Sequence, residues 1–142
     1  MEKLLVSACL LGKNCKYNGK NNYNEKVCAL AKKYDLIPVC PETAGGLSAP
    51  RNPAEICGQQ VLLSDKTDVT AEFKKGAELT LETALACNCK KAMLKAKSPS
   101  CGSGRIYDGT FSKKLVCGDG VTAKLLKENG IVIFNEEETD LL

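Results

Sequence analysis

The stretch DVTAEFKKGAELTLETALACNCKKAMLKA, residues 68–96, decides the fold, because it predicts a long helix that leads into a short apolar strand. Asp68 or Thr70 can cap the helix, which we expect to run to about Ala86. The apolar residues at helical spacing are Phe73, Ala77, Leu81, Ala84 and Leu85. Lys91–Ala96 then reads as the strand. A helix that feeds a buried strand in this way is typical of α/β proteins.

Strands and helices also alternate on both sides of this stretch. We expect strands at Lys3–Ala8, Leu36–Cys40, Gln60–Ser64 and Ile131–Phe134, and helices at Tyr23–Tyr34 and Val121–Asn129, the last closed by Gly130. Residues 41–53, PETAGGLSAPRNP, are too rich in proline and glycine for regular structure, and Phe111 with Leu115–Cys117 suggests a small hairpin. The alternation predicts an α/β fold, a three-layer Rossmann-like or flavodoxin-like domain with a mostly parallel sheet. The length predicts a single domain, residues 1–142.

Composition predicts a cytoplasmic protein. The chain is 44% hydrophobic and 26% charged, as expected of a soluble domain. An export signal needs an apolar run of roughly 7 to 15 residues, and the run before Cys9, Leu4–Ala8, is shorter. No window approaches the roughly 18 apolar residues of a membrane span, so we expect no membrane association. In the cytoplasm the thiols stay reduced.

Nine cysteines and no histidine limit the chemistry of the chain. Nine is odd, so a complete disulfide framework is impossible, and metal binding or catalysis is favoured. Without histidine, any acid or base has to be a carboxylate, thiol, lysine or tyrosine. No Cys-x-x-Cys pair occurs, so the usual zinc-ribbon and ferredoxin signatures are absent.

The charge pattern favours a small-molecule substrate. The net charge is +3 and no long Lys/Arg block occurs, so the footprint of a nucleic-acid binder is weak. Arg51 and Arg105 are the only arginines, and both lie in loops rich in glycine or proline. Each has two open interpretations, which are contact with a planar or anionic substrate and bracing of its own loop.

Three cysteines follow predicted strands. Cys9 comes just past the first strand, Cys40 ends the second, and Cys101 lies in the loop after Lys91–Ala96. The carboxyl ends of parallel strands form the ligand-binding edge of an open α/β sheet, so the three thiols can converge on one site. Three protein thiolates would leave one coordination position open on a metal, and substrates bind at open positions.

Several motifs together resemble one known family. They are SACLLGKNCKYNG (7–19), VCPETAGGLSAPRNPAEI (39–56), DVT (68–70), LKAKSPSCGSGRIYDGTF (94–111) and GDGVTAKLL (118–126). In this order they are similar to a family of small proteins, formerly catalogued as a domain of unknown function, whose characterised members are thiouracil desulfurases. The match covers about Val6 to Leu126, and its specificity rests on the combination of motifs.

The resemblance implies a 4Fe-4S cluster held by Cys9, Cys40 and Cys101, whose fourth iron is free to take the sulfur of a small thiolated, thiouracil-like substrate. It further implies that Glu42 is the acid/base residue and that Ser98 orients substrate or water. The expected reaction converts a thiocarbonyl and water into a carbonyl and hydrogen sulfide without net electron transfer. The chain departs from the family at 16–19, where Lys-Tyr-Asn-Gly replaces the usual Arg-Tyr-Asp-Gly.

Other interpretations stay open at this point. A cysteine-based zinc or redox module, or a sulfur carrier without desulfurase activity, is the alternative from another class, and an accessory of RNA modification is a third. Cys15 has two interpretations, a spare ligand near the cluster or a packing residue, and Cys87 with Cys89 is either a thiol pair or packing at a helix end. We expect the remaining cysteines, Cys28, Cys57 and Cys117, to be packing residues.

Overall fold

The structure, a computed structural model, describes residues 1–142 and contains one central sheet, flanking helices and two hairpins. In chain order its elements are β1 (Lys3–Ser7), α1 (Glu25–Cys28), β2 (Asp35–Val39), α2 (Pro41–Ala44), β3 (Ala54–Cys57), β4 (Gln60–Leu63), α3 (Thr70–Ala86), β5 (Lys91–Met93), β6 (Arg105–Tyr107), β7 (Leu115–Cys117), α4 (Val121–Glu128) and β8 (Val132–Phe134). Short 3₁₀ segments lie at Ala8–Leu11, Ala29–Lys32 and Thr139–Leu141.

The central sheet has four parallel strands in the order β2-β1-β5-β8. Leu4, Leu5 and Val6 of β1 have no exposed surface, because helices cover both faces of the sheet. Successive side chains of a strand point to opposite faces. Leu5 accordingly packs in the core formed with α3 and α4, whereas Leu4 and Val6 pack in the core formed with α1. This is the predicted three-layer α/β fold, and that prediction is confirmed.

Residues 68–96 fold largely as expected. α3 occupies the predicted range and buries most of its apolar stripe, although Leu85 is exposed. β5 ends at Met93 and does not continue to Ala96, because the Lys95 N–H donates to Ser7 Oγ at 2.9 Å and turns the chain away from the sheet. None of the helices has the length and apolar composition that a membrane crossing requires.

Two hairpins lie outside the parallel sheet. The predicted strand Gln60–Ser64 forms as β4, but it pairs with β3 in an antiparallel hairpin closed by Gly58 and Gln59. Gly58 has a φ of 64°, which suits a tight two-residue hairpin loop. β7 forms as predicted, yet its partner is β6 and not the segment at Phe111, whose φ of 58° is incompatible with a strand.

The helix predicted at Tyr23–Tyr34 is shorter and partly 3₁₀. Asn24 caps α1 by accepting from the Val27 N–H at 3.1 Å, so the helix begins after Tyr23, which is 60% exposed. Val27, Leu30 and Tyr34 are buried as the pattern predicts.

Residues 41–53 are not wholly irregular, because they begin with the one-turn helix α2, which packs on α3 through two glycines. A Cβ placed on Gly45 would lie 1.9 Å from the carbonyl oxygen of Glu72, and one on Gly76 would lie 1.9 Å from that of Pro41. Only glycine permits this backbone-to-backbone approach. The contact fixes the segment that carries Cys40 and Glu42 against the longest helix of the fold.

Candidate active site

The structure brings Cys9, Cys40 and Cys101 to one cavity of about 520 Å³ at the carboxyl edge of the sheet. Cys9 lies in the 3₁₀ segment that follows β1, Cys40 follows β2, and Cys101 lies in the loop between β5 and β6. The chain leaves β1 for β2 on one side and reaches β5 on the other, so a crevice opens between the loops that follow these strands. The topology therefore explains why thiols far apart in sequence face one space.

Cys101 is the most enclosed of the three thiols. Its residue is 5% exposed, and burial raises the pKa of the thiol to about 12. Ser7 Oγ and Ser100 Oγ lie 3.5 and 3.6 Å from Cys101 Sγ, and the Ser7 hydroxyl donates to the sulfur. Such donors stabilise a thiolate, whether free or bound to a metal.

Cys9 is partly buried and also has a donor at its sulfur. The side-chain amide of Asn22 donates to Cys9 Sγ at 3.4 Å, and the Asn22 N–H donates to the Cys9 carbonyl at 3.0 Å. Burial raises the pKa of the Cys9 thiol, and the Asn22 amide partly opposes that rise. The loop that carries Asn22 is thereby tied to the turn that presents the thiol.

Cys40 differs electrostatically from the other two thiols. Hydrogen bonding with the Cys15 thiol and with Thr43, whose Oγ1 lies 3.2 Å from Cys40 Sγ, lowers the pKa of Cys40 to about 6. The same pairing with Cys40 raises the pKa of Cys15. Cys15, which the sequence left with two interpretations, is buried and lines the cavity beside Cys40.

Glu42 lies in the cavity wall with both carboxylate oxygens engaged. Arg51 Nη2 lies 2.6 Å from Glu42 Oε1, and Ser100 Oγ donates to Glu42 Oε2 at 2.7 Å. The Arg51 side chain is 8% exposed, and its other nitrogen donates to the Ser48 carbonyl at 2.9 Å. Arg51 therefore lines the cavity and braces Glu42, whereas Arg105 is exposed and lies outside the cavity.

Ser98 joins the same hydrogen-bond network from the other side. Its Oγ accepts from the Cys101 N–H at 2.8 Å and lies 3.4 Å from Ser100 Oγ. A hydroxyl has one hydrogen, and Ser100 gives its hydrogen to Glu42. Ser98 is therefore the donor in the contact with Ser100, and the direction of donation runs from Ser98 through Ser100 to Glu42.

Sequence reasoning missed several residues of this site. Ser100 could have been proposed as a site residue, because it is adjacent to the predicted ligand Cys101. Ser7 was visible only as the end of a strand. Lys95 and Glu136 form an ion pair of 2.8 Å at the cavity edge, and Glu136 Oε1 accepts from the Ala96 N–H at 2.8 Å. Their pairing depends on the neighbouring positions of β5 and β8, which no local pattern reports.

The other five cysteines lie outside the cavity lining. All nine thiols of the chain are free, including the adjacent pair Cys87 and Cys89. Cys28 and Cys57 are partly buried, in agreement with packing roles. Cys117 is exposed, so its predicted packing role is wrong: it lies on β7 of the β6–β7 hairpin, where no core covers it.

The chain belongs to the 2-thiouracil desulfurase family, because the profile of that family matches residues 4–138. The resemblance inferred from the motifs is thereby confirmed. The match includes the whole cavity wall described above, from Ser7 to Glu136.

Two individual proteins are similar to this chain over nearly their full lengths. The solved structure of the [4Fe-4S]-dependent thiouracil desulfidase TudS superimposes with a TM-score of 0.94 at 45% identity, covering 100% of this chain and 95% of that one. The uncharacterized protein YbbK of Bacillus subtilis strain 168 is 43% identical over 95% of this chain and 96% of its own length.

Proposed function

We propose that this protein is a 4Fe-4S-dependent desulfurase that removes sulfur from the thiocarbonyl of a small, thiouracil-like compound. The observation that carries the proposal is the convergence, in one cavity, of the thiols of Cys9, Cys40 and Cys101 with the braced carboxylate of Glu42. Membership of the 2-thiouracil desulfurase family and the likeness to TudS support the same activity. The cavity volume lies within the roughly 300 to 1,000 Å³ usual for small-ligand sites.

The residues present fit a cluster held by Cys9, Cys40 and Cys101. Thiolates are the ligands of iron–sulfur clusters, and each of these sulfurs has a hydroxyl or amide group within hydrogen-bond distance. No three cysteine, aspartate or glutamate side chains lie close enough together to bind one metal ion. Thiolates on a single tetrahedral zinc lie about 3.8 Å apart. A group bound by all three thiols has to reach across the cavity, which favours a multi-iron cluster over one zinc ion.

A cluster with three protein thiolates supplies one iron with an open position, a Lewis acid that polarises a thiocarbonyl sulfur. The overall reaction adds one water to the thiocarbonyl carbon, forms the C=O bond, breaks the C–S bond and releases hydrogen sulfide. Both protons of the water leave with the sulfide, and no electrons are gained or lost. We therefore propose that the desulfuration is non-redox.

In this scheme Glu42 moves the protons. Arg51 contacts one oxygen of the carboxylate and Ser100 contacts the other. Each oxygen has a second lone pair, which stays available. Glu42 takes a proton from the attacking water and later gives it to the departing sulfur. The Arg51 guanidinium keeps the carboxylate in place while its charge changes.

Ser98 and Ser100 orient this acid/base residue. Ser98 donates to Ser100 and Ser100 donates to Glu42, so the two hydroxyls form a fixed polar row that ends at the carboxylate. The Cys101 N–H anchors the far end of the row by donating to Ser98 Oγ. The thiol ligand and the acid/base residue are thereby held at a fixed separation.

Anaerobic reconstitution with iron and sulfide tests the proposal. Wild-type protein should bind about four irons per chain and convert 2-thiouracil to uracil and sulfide in equal amounts. Cys9→Ala, Cys40→Ala and Cys101→Ala should lose iron, while Cys117→Ala, which removes an exposed thiol outside the cavity, should match the wild type. Glu42→Gln should keep the iron and lose turnover.

Each part of the proposal has its own contradicting result. A fully loaded protein that releases no sulfide from 2-thiouracil would refute the activity. Full iron content in all three cysteine variants would refute the ligand set, and normal turnover by Glu42→Gln would remove Glu42 from the chemistry.

A further inference from the structure

Glu55 is a buried carboxylate in the cavity wall that the chemistry above does not use. It lies on β3, is 8% exposed and lines the same cavity as the three thiols. It belongs to the β3–β4 hairpin and not to the parallel sheet, so it faces the cavity from outside the sheet edge. A carboxylate in such a place needs hydrogen-bond donors, which makes its surroundings informative.

The hairpin presents Glu55 toward the loop between β6 and β7. Ala54 and Ile56 pack on the small core around Phe73. Alternation along the strand turns Glu55 and Cys57 the other way. Cys57 Sγ contacts the carbonyl of Gly109 at 3.4 Å, which confirms that this face meets the loop.

One oxygen of Glu55 holds that loop in place. Glu55 Oε1 accepts from the N–H of Gly109 at 2.9 Å and from the N–H of Phe111 at 3.1 Å. Phe111 and Tyr107 line the cavity together with Tyr17. Flat aromatic walls of this kind suit a planar ring.

The other oxygen of Glu55 has no partner in the protein. No donor forms a hydrogen bond to Oε2, and no lysine or arginine nitrogen lies within 4.0 Å of the carboxylate. The four ion pairs of the chain involve other acids. The cavity therefore contains a strong, acceptor-only group whose binding capacity is half used.

We propose that Glu55 is a specificity-determining residue that accepts a hydrogen bond from a ring N–H of the substrate. The inference rests on the proposed desulfurase function and narrows its substrate class to planar cyclic thioamides or thioureas with an unsubstituted ring nitrogen. A carboxylate cannot donate, so it selects N–H groups and disfavours ring nitrogens that carry an alkyl group. When a ligand lacks the N–H group, the acceptor in such a site stays unpaired. That ligand therefore binds more weakly than one that has the N–H group.

The variant Glu55→Gln separates recognition from loop anchoring. Its amide oxygen can still accept from Gly109 and Phe111, while the second position changes from an acceptor to an NH₂ donor. The probes are uracil, which has both ring N–H groups, and 1,3-dimethyluracil, which has none. Both are bound to the cluster-loaded protein and measured by equilibrium dialysis, so the readout is independent of turnover.

Wild-type protein should bind uracil roughly 10- to 100-fold more tightly than Glu55→Gln does, as expected for loss of a hydrogen bond to a charged group. The two proteins should bind 1,3-dimethyluracil equally, because the steric effect of the methyl groups is common to both. Equal uracil affinities, no measurable uracil binding by the wild type, or the same loss with both probes would overturn the proposal.

A second comparison needs no variant and covers the case in which Glu55→Gln fails to fold. Wild-type protein should bind at least one of 1-methyluracil and 3-methyluracil roughly 10-fold or more weakly than uracil. Equal affinity for all three would overturn the proposal. Selective uracil binding by a loaded protein that releases no sulfide from 2-thiouracil would refute the proposed function and leave the role of Glu55 standing.

Discussion

Arg51 and Glu42 form a nearly enclosed ion pair in the cavity wall, with Nη2 and Oε1 only 2.6 Å apart. Their side chains are 8% and 17% exposed, so solvent screens the pair far less than it screens a surface pair. Arg51 is also fixed at its backbone, since its N–H donates to the Tyr17 carbonyl. The loop 41–53 therefore carries both the acid/base candidate and the cation that positions it.

Arg51→Ala should lower kcat by about 10- to 100-fold, because it leaves Glu42 without the cation that holds it. Iron content and KM for 2-thiouracil should change much less, since Arg51 contacts none of the three thiols. Steady-state kinetics on reconstituted protein give both constants. Arg105→Ala is the matched control, because Arg105 is exposed and lies outside the cavity. Equal losses in both variants would contradict the bracing role.

Ser100→Ala should lower kcat by about tenfold at unchanged KM, because Glu42 loses the hydroxyl that fixes its second oxygen. The cluster should still form, since all three thiols remain. Ser103→Ala removes the same atom from the same loop outside the cavity lining and should behave as wild type. Unchanged kcat in Ser100→Ala would mean that Arg51 alone positions the carboxylate.

In cluster-free protein at pH 7, iodoacetamide should modify Cys40 faster than Cys9. The pKa of Cys40 is lowered to about 6 by hydrogen bonding with Cys15 and Thr43, whereas burial raises the pKa of Cys9. Thiolate is the reactive form, so the Cys40 rate should fall as the pH drops through about 6. Peptide mass spectrometry measures the modification at each site.

The variant Cys15→Ala provides the control for this order of reactivity. Without the Cys15 thiol as a donor, the pKa of Cys40 should rise, and the fall in rate should move to higher pH. An unaltered pH profile in Cys15→Ala would show that the pairing of Cys15 with Cys40 does not set the reactivity.

Gly76→Ala should destabilise the protein, although alanine normally stabilises a helix interior by about 1 kcal/mol relative to glycine. The new Cβ would lie 1.9 Å from the Pro41 carbonyl oxygen, and the forced separation of α2 from α3 should lower the free energy of unfolding by about 1–3 kcal/mol. Urea denaturation measures this change. Lys75→Ala, at the exposed neighbouring position, should be nearly neutral, and a stabilised Gly76→Ala protein would contradict the close contact.

The sequence allows the sheet to be predicted because β1 is buried on both faces and α3 has a long apolar stripe. The same order of elements predicts that Cys9, Cys40 and Cys101 follow strands, and the structure brings them to one cavity. Local apolar patterns and strand order depend on the chain itself, so they can be inferred without coordinates.

The pairings inside the cavity could not be predicted in the same way. Arg51 contacts Glu42, and Ser100 reaches the same carboxylate from a loop distant in sequence. The sequence predicts no role for Glu55, because its contact with the loop at Gly109 joins segments that are far apart in sequence. Such contacts depend on how the loops fold back over the edge of the sheet, and local residue patterns do not predict this.

The proposed cofactor would cross-link the chain as well as take part in the chemistry, because its ligands Cys9, Cys40 and Cys101 come from three segments that are far apart in sequence. A group bound to all three would restrict the unfolded chain as a pair of disulfides does in a secreted protein, and its loss would free the loops after β1, β2 and β5 together. Oxidative loss of the cluster would then loosen the catalytic edge of the fold, so an inactivated molecule would also become the form most open to proteolysis.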